Sequence, residues 1–596
     1  MFIRTFLGLI GLLTAAAAVH AQPPRKAEKP RFTVPDGFRV EPVIPAGTMI
    51  EGVTAGKFAL SIVNMCFDAK GRLLVSQERG PVLLWNDGKL DIVCDRVTNC
   101  QGMCWAHNSL YLVGDGPKGV GLYRCTASKG SEKFDLAEQL MKFKGSMGEH
   151  GPHAVIHGPD DKLYVVIGNH AWADVGKVAE RSPLTRWPTG LEGPDQNKPG
   201  TTEDVLLPRL NDANGHAANR LAPGGTIWRV DLDGGNPSLV AAGFRNQFDA
   251  AFNPAGELFT FDSDMEWDLG LPWYRHVRIS HCPPGADFVW RTGAANTPND
   301  YLDSLPPLVE TGRGSPTGVE CYDHAAFPAK YRGAIFTCDW SIGTIWVCLP
   351  ERSGASYKAT FEKFCSGTPM PVSDCVVGPD GALYFALGGR GTQGSVHRIV
   401  HDGAKAEELT ENEQPLAAWS KLRQDGEALP ADVLRLPKTQ AEQSARAVYL
   451  FGLTEGSGAA KAIAESMRHA DPFVRRRACE AAIRLGHEVA VSDLTPLLAS
   501  DDRFLRTAAR LVLQRIDPKK WATALVGGAD DRVAHEAIVA LCKIGKANDF
   551  TDIIFERLHD KTPGDSTGTL LEWVRTVQLA LVHCEGRPQA VRGIAL

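Results

Sequence analysis

The sequence predicts an all-β six-bladed β-propeller followed by an all-α domain of stacked helical repeats. Two recurrences and one change of pattern carry this prediction. Between residues 32 and 403 a turn followed by a short apolar strand recurs six times. A second strand follows each copy, and in all but the fourth a glycine opens it. From about Glu442 the strand pattern gives way to Ala- and Leu-rich helical periodicity, with one motif repeating at steps of about 30 residues.

Taken in order, the chain begins with the pattern of a secretory signal. Arg4 makes the first residues positive, Phe6 to Val19 is apolar, and Val19-His20-Ala21 fits small-residue cleavage, so residues 1–21 are expected to be removed on export. The apolar run is short for a bilayer span, and no later stretch is long enough. The expectation is an exported protein, periplasmic or associated with the cell envelope, with no transmembrane segment after cleavage. The formal net charge of −6 is small for 596 residues and argues against nucleic acid as a partner. Fourteen cysteines are too dilute for a disulfide scaffold, although export allows individual bridges. Cys100 and Cys104 have three residues between them and no adjacent histidine, which excludes a c-type haem site there.

Phe32 to Ile44 is expected to be the strand that closes the ring by joining the last blade. The first recurring element reads Asp68–Val75, His107–Val113, Gly158–Val166, Asn253–Phe259, Tyr331–Phe336 and Gly378–Phe385. The second reads Gly80–Trp85, Gly121–Arg124, Gly225–Val230, His276–Ile279, Gly343–Val347 and Gly394–Ile399. Strand pairs at this spacing are propeller blades, and ring closure leaves only short, protected edges. Ala171 to Pro223 breaks the period. It is rich in Pro, Gly, Asn and Asp, ends in Asn211–His216, and is expected to fold over one face of the ring.

Two stretches carry candidate chemistry. Gly243–Asn246 brings Arg245 and Asn246 to one end of a sheet, and the strand that follows ends in Asp262, Asp264, Glu266 and Asp268. Four acids in seven residues suit a loop that holds a hard cation, or else a solvated acidic turn. Gly148–His153 precedes the third copy, so His150 is expected at the channel mouth, where a general base would be useful. His150 and His153 could equally be metal ligands, or turn histidines bonded to backbone.

These residues carry a resemblance. Glu149-His150, Gly158–Gly168, Gly225–Gly234, Gly243–Asn246 and Asn253–Gly256 are similar to the soluble quinoprotein glucose and sorbosone dehydrogenases, six-bladed propellers that bind pyrroloquinoline quinone (PQQ) and calcium. Asp262–Asp268, Gly314–Gly318, Asp339–Ser341 and Gly388–Thr392 are similar to motifs of exported bacterial membrane-bound dehydrogenases, whose members often add HEAT-like repeats and a c-type haem domain. The resemblance implies His150 as the base that takes the substrate hydroxyl proton, and Arg245 and Asn246 as contacts to the cofactor. Arg245 is also the candidate catalytic cation, and Glu149 and Arg390 are further candidates around the cofactor. It also implies calcium held near Asp262, Asp264, Met265 and Glu266, largely through backbone carbonyls. Where the glucose dehydrogenases carry a lysine this chain has Ser341, and where they carry two arginines it has Pro371 and Ser373. Those cations bind the quinone carboxylates through contacts of roughly 1.5–3 kcal/mol each. Arg313 and Arg390 are the candidates to replace them.

Residues 404–441 read as a charged, Pro-containing linker, and 442–596 as the helical domain. Its motif is Asp471–Arg475, Asp502–Arg506 and Asp530–Val533, between helical segments in a pattern resembling HEAT repeats, either a docking surface or a spacer. The leading functional expectation is a quinone- and calcium-dependent oxidation of a small carbohydrate-like substrate: a sugar, sugar aldehyde or polyol. A c-type cytochrome or other protein docked on the repeats would accept the electrons. The alternatives are a calcium-dependent lactonase-type hydrolase and a non-catalytic carbohydrate- or protein-binding propeller.

Overall fold

The computed structural model describes residues 31–50, 60–185, 223–263, 265–266, 271–272, 274–290, 299–403, 446–447, 449–453, 455–560 and 566–584. The signal, the linker, Asn211–His216, Asp264 and Asp268 lie outside the described residues.

Strands β1 (Arg31–Thr33) and β2 (Phe38–Ile44) precede the first blade. Blade 1 is β3 (Ile62–Phe67), β4 (Leu73–Gln77), β5 (Val82–Asn86) and β6 (Lys89–Cys94). Blade 2 is β7 (Thr98–Ala106), β8 (Ser109–Gly116), β9 (Gly119–Thr126) and β10 (Leu136–Lys144). Blade 3 is β11 (Pro152–His157), β12 (Leu163–Ile167), β14 (Gly225–Val230) and β15 (Ser238–Phe244), with β13 (Trp172–Ala173) added to blade 2. Blade 4 is β16 (Ala250–Phe252), β17 (Leu258–Asp262), β18 (Val277–His281) and β20 (Val309–Gly312), with β19 (Ala286–Asp287) added to blade 3. Blade 5 is β21 (Pro316–Cys321), β22 (Ile335–Asp339), β23 (Thr344–Ser353) and β24 (Ser356–Thr368). Blade 6 is β25 (Val372–Val377), β26 (Leu383–Leu387) and β27 (Ser395–His401), and β2 completes it as the outer strand. The expected closing strand is therefore two strands: β2 closes blade 6, while β1 turns away to pair with β24 of blade 5.

The two recurring sequence elements are the second and third strands of each blade. Second strands are buried on both faces, and their alternating side chains feed two different apolar layers. In β12, Leu163, Val165 and Ile167 pack toward blade 2, while Tyr164 and Val166 pack toward blade 4. In β26, Leu383, Phe385 and Leu387 face blade 5, and Tyr384 and Ala386 face blade 1. Each pair of neighbouring blades encloses such a layer.

At the axis the innermost strands are stapled by polar side chains. Met103 N–H donates to Asn64 Oδ1 (2.9 Å), Met65 N–H to Asp374 Oδ2 (2.7 Å) and Val319 N–H to Asp249 Oδ2 (3.0 Å). Thr317 Oγ1 donates to Val372 O (2.9 Å). Between blades 2 and 3 the backbones approach so closely that a Cβ on Gly102 would lie 2.3 Å from His153 O. All fourteen cysteines are unpaired thiols.

The helical domain comprises α1 (Ser457–Met467), α2 (Pro472–Leu485), α3 (Val491–Leu498), α4 (Arg503–Leu513), α5 (Ala522–Val526), α6 (Asp531–Lys543), α7 (Thr551–Asp560) and α8 (Thr567–His583). The repeated aspartate is an N-cap: Asp471, Asp502 and Asp530 accept from the first-turn N–H groups of α2, α4 and α6. Among the described residues no helix is long and apolar enough to cross a membrane.

The capped helices present their arginines to the propeller. Arg476 and Arg477 of α2 converge on Glu257, in the turn before β17, at 2.7 and 2.5 Å. Glu257 also meets His281 Nε2 at 2.6 Å, and the His281 ring stacks on Phe504 of α4. Arg575 of α8 grips Asp303 with two bonds of 2.9 Å, and Lys543 of α6 adds a third contact at 3.1 Å. Leu302 and Ala355 of the propeller belong to the helical core. The repeats are thus docked on blades 3, 4 and 5, at the end of β17 opposite Asp262, with Lys543 also reaching Asp287 of β19 and Arg515 donating to Glu180 O. Ring closure nevertheless lies wholly within residues 31–403, so a chain ending at Gly403 is expected to stay folded with a lower Tm than the full chain. Circular dichroism with a thermal scan checks this, and an insoluble or molten product would place the domain boundary elsewhere.

Candidate active site

Two kinds of loop meet at one end of the ring: those that enter each innermost strand and those that leave each second strand. They enclose a cavity of about 1030 Å³. Entering loops contribute Glu149, His150, Arg245, Asn246 and Arg313, the start of β7 contributes Asn99 and Gln101, and leaving loops contribute Glu78, Arg79, Ser263, Glu266, Trp340, Ser341 and Arg390.

His150 is 3% exposed, and its Nδ1 lies 2.7 Å from Asn169 Oδ1. Its ring lies against that of His170, centroids 4.5 Å apart. The backbone fixes this corner. His170 N–H donates to His150 O (3.0 Å), Asn169 N–H to Arg245 O (3.1 Å), and a Cβ on Gly168 would meet Asn246 Oδ1 at 2.4 Å. The base candidate and the Arg245-Asn246 loop are therefore one packed unit drawn from blades 3 and 4. Arg245 Nη1 donates to Ser263 Oγ at 3.0 Å.

His153 plays a different part. It is fully buried, stacked on Phe248, and not among the cavity-lining residues. Burial pushes its imidazole down to about 4, so the ring is neutral near pH 7. Asn246 Nδ2 donates to Glu149 O (2.9 Å), which turns its Oδ1 toward His153. Its Nε2 lies 2.8 Å from that oxygen and its Nδ1 2.5 Å from Gln101 Oε1, so the ring bridges the Asn246 and Gln101 amides. His153 is a prop for Asn246.

The acidic run divides. Asp262 is completely buried and forms the floor under the arginine loop. Its Oδ1 accepts from Arg245 N–H (3.1 Å) and Asn246 N–H (2.9 Å), and its Oδ2 from Arg278 Nη2 (3.1 Å). This corrects the reading of Asp262 as a solvated acid, and its carboxylate is committed to protein donors. Met265 is buried, and its N–H and C=O both pair with Arg275. Of the expected metal ligands that are described, Glu266 alone lines the cavity, joined there by Ser263.

Glu149 and Arg390 form an ion pair between loops of blades 3 and 6, on opposite sides of the ring, so the pair bridges the mouth. Arg390 also lies over the Trp340 ring, with Cζ 5.3 Å from the centroid. Its φ of 50° lies between two left-handed glycines, Gly389 and Gly391. Ser341 and Ser373 both line the cavity, with the Ser373 hydroxyl donating to Ile62 O (2.9 Å), and Pro371 accepts from Gly388 N–H. Residues that the sequence reading missed are Asn169, Gln101, Arg79 and Ser263. One signal marks three of them, since Arg79, Asn169 and Ser263 each lie just past the end of a second strand.

Below the cavity the axis holds Asp249, Asp374 and Glu320. Burial raises all three carboxyls, Glu320 to about 8 and Asp249 to about 7, and the neighbouring Asp249 raises Asp374 further. A folded-state value above the unfolded one means that folding takes up a proton, so this stability is present at low pH and lost as pH rises from about 4 toward 7. Asp249→Asn removes that loss. Its stability relative to wild type is expected to climb with pH across this window, by at most about 1.4 kcal/mol per unit. Denaturant titrations at pH 5, 6 and 7 check the slope, and a pH-independent difference would rule the assignment out.

Residues 436–514 match the HEAT repeats family. No curated protein matches the chain. Among solved structures the propeller part is similar to a glucose dehydrogenase from Thermus thermophilus, at 18% identity and TM-score 0.43, covering 61% of this chain and 100% of that one. It is also similar to the PQQ-bound form of aldose sugar dehydrogenase from Streptomyces coelicolor, at 14% identity and TM-score 0.42, covering 62% and 99%. A third likeness, at 16% identity and TM-score 0.32, is to a protein described as a gluconolactonase, covering 63% and 96%. At such identities the likeness concerns the fold, and what those proteins bind or do is a property of each of them.

Proposed function

We propose that this chain is an exported oxidoreductase that oxidises a sugar, sugar aldehyde or polyol, with substrate and a quinone such as PQQ sharing the cavity at the ring mouth. The observation that supports this reading is the packed unit of His150, Asn169, Arg245 and Asn246 on the cavity wall. With Nδ1–H donating to Asn169 Oδ1, the basic atom of His150 is Nε2, which accepts the substrate hydroxyl proton as the carbon-bound hydrogen departs with its electron pair. Arg245, steadied by Ser263, stabilises negative charge that develops nearby. Arg79, Arg313 and Arg390 also line the cavity and suit a polycarboxylate quinone, since guanidinium forks pair with carboxylates. Such a group, when bound, supplies the two-electron acceptor. The three arginines stand in for the cations missing at Ser341, Pro371 and Ser373.

Calcium would be held at the same wall. It takes six to eight oxygen ligands, and Ser263 and Glu266 are the described residues of the expected segment at the wall. The chemistry above is carried by His150 and the arginines. Electrons then pass to a c-type cytochrome or another protein docked on the helical repeats. The capped helices α2, α4 and α6 bind the propeller, which leaves the first helix of each pair for that partner.

The test is dye reduction by the purified chain with added PQQ, with and without calcium, against a panel of aldoses and polyols. Sugar-dependent reduction that requires PQQ supports the reading. Lactone hydrolysis without quinone would replace it with a hydrolase, and sugar binding without turnover would make the propeller a binding module.

A further inference from the structure

At the opposite end of the ring from the cavity, two hairpin turns bring together side chains that the proposed reaction does not use. His107 lies in the β7–β8 turn of blade 2, and His157 and Asp161 flank the β11–β12 turn of blade 3. His107 Nε2 is 2.7 Å and His157 Nε2 is 2.8 Å from the same atom, Asp161 Oδ1. The ligand-type atoms of all three residues lie within 4.8 Å of one another. The two rings are nearly perpendicular, at 87°, with centroids 5.7 Å apart. All three side chains face solvent, at 53%, 34% and 59% exposure, so an ion could reach them without opening the fold.

We propose that His107, His157 and Asp161 form a surface zinc site that clamps blade 2 to blade 3. Two imidazole nitrogens and one carboxylate oxygen are the donor set of three-protein-ligand zinc sites, with water in the fourth position. The set is too nitrogen-rich for calcium or magnesium, which prefer oxygen ligands. Zinc–ligand bonds of about 2.0–2.1 Å in a tetrahedron separate ligands by about 3.3 Å. Asp161 Oδ1 must therefore retreat by about half an ångström from each ring, and the ligand atoms, now within 4.8 Å of one another, must settle to that spacing, which side-chain rotations at exposed positions provide. Each ring binds through the Nε2 lone pair with its hydrogen on Nδ1. The ligands are 54 residues apart at the extremes, so the ion would tie together two blades that meet here through the His107–Asp161 hydrogen bond.

The experiment uses the full chain, freed of metal by a chelator, with zinc titrated by calorimetry and cobalt(II) as a spectroscopic probe. Wild type is expected to bind zinc, to show the d–d absorption of a tetrahedral cobalt site, and to gain Tm with rising zinc. His107→Ala and His157→Ala should each weaken this binding by more than about 10-fold and lose the cobalt spectrum. Asp161→Asn should weaken it less. Their exposure means the variants keep the fold, which their metal-free Tm verifies. Retention of wild-type zinc affinity and cobalt spectrum in both histidine variants would overturn the proposal. So would absence of zinc binding in wild type, or competition by calcium at equal concentration. Activity of the cavity plays no part in the readout.

Discussion

His150→Ala is expected to lower kcat by about 10²–10⁴-fold, the usual contribution of a general base, while the Tm stays close to that of wild type. The side chain touches the Asn169 amide, the His170 ring and the cavity, and the backbone bonds that shape the corner, His170 N–H to His150 O and Asn169 N–H to Arg245 O, do not depend on the imidazole. His153→Ala should behave differently. It removes a fully buried ring stacked on Phe248 and strands the Asn246 and Gln101 amides, so stability should fall and KM should rise more than kcat falls. The measurement is steady-state dye reduction on the substrate that the panel identifies, with a melting curve for each variant. Unchanged turnover in His150→Ala would remove the base from the proposed mechanism. Equal loss of kcat in both variants, with both folds intact, would make the two histidines partners in one function.

Glu257→Ala is expected to destabilise the folded chain by about 3–5 kcal/mol, the cost of breaking a buried ion pair from one side. Glu257 is 1% exposed, and the guanidinium groups of Arg476 and Arg477 that it pairs are 0% and 2% exposed. Its removal leaves Glu480 as the remaining carboxylate for two buried cations. The Glu257 carboxyl is held below its ordinary range by those arginines, against the opposing effect of burial. A depressed folded-state value contributes stability that is present above the unfolded carboxylate value, about 4.3, and lost as pH falls through the folded one. The deficit of Glu257→Ala relative to wild type should therefore shrink on acidification below about pH 4. Urea titration of both chains at pH 7 and pH 3 tests this. A deficit below about 1 kcal/mol at pH 7 would mean that the interface tolerates separation of the two domains.

The repeating parts of this protein are legible from residue order alone, because each rests on contacts made within a few residues. A turn such as Gly158-Pro159-Asp160-Asp161 followed by Leu163–Ile167 encodes a second strand locally: the turn residues accept the bend, and the unbroken apolar run demands burial on both faces. Asp471, Asp502 and Asp530 are legible for the same reason, since an N-cap bonds to the N–H groups two or three residues ahead. Position at the ring mouth was legible for His150, Arg245 and Asn246 once the blades were in register. Partnership was not. Asp262 stands in an acidic run, yet its carboxylate belongs to Arg278 and to the N–H groups of Arg245 and Asn246. Glu257 is bound by arginines 219 and 220 residues later in the chain. His107 meets Asp161 only because neighbouring blades align their turns. A charged side chain carries no mark of its partner in its own neighbourhood. Ring closure and domain docking bring distant segments within about 3 Å, hydrogen-bonding distance, and that step decides whether an acid is a ligand, a staple or a strut.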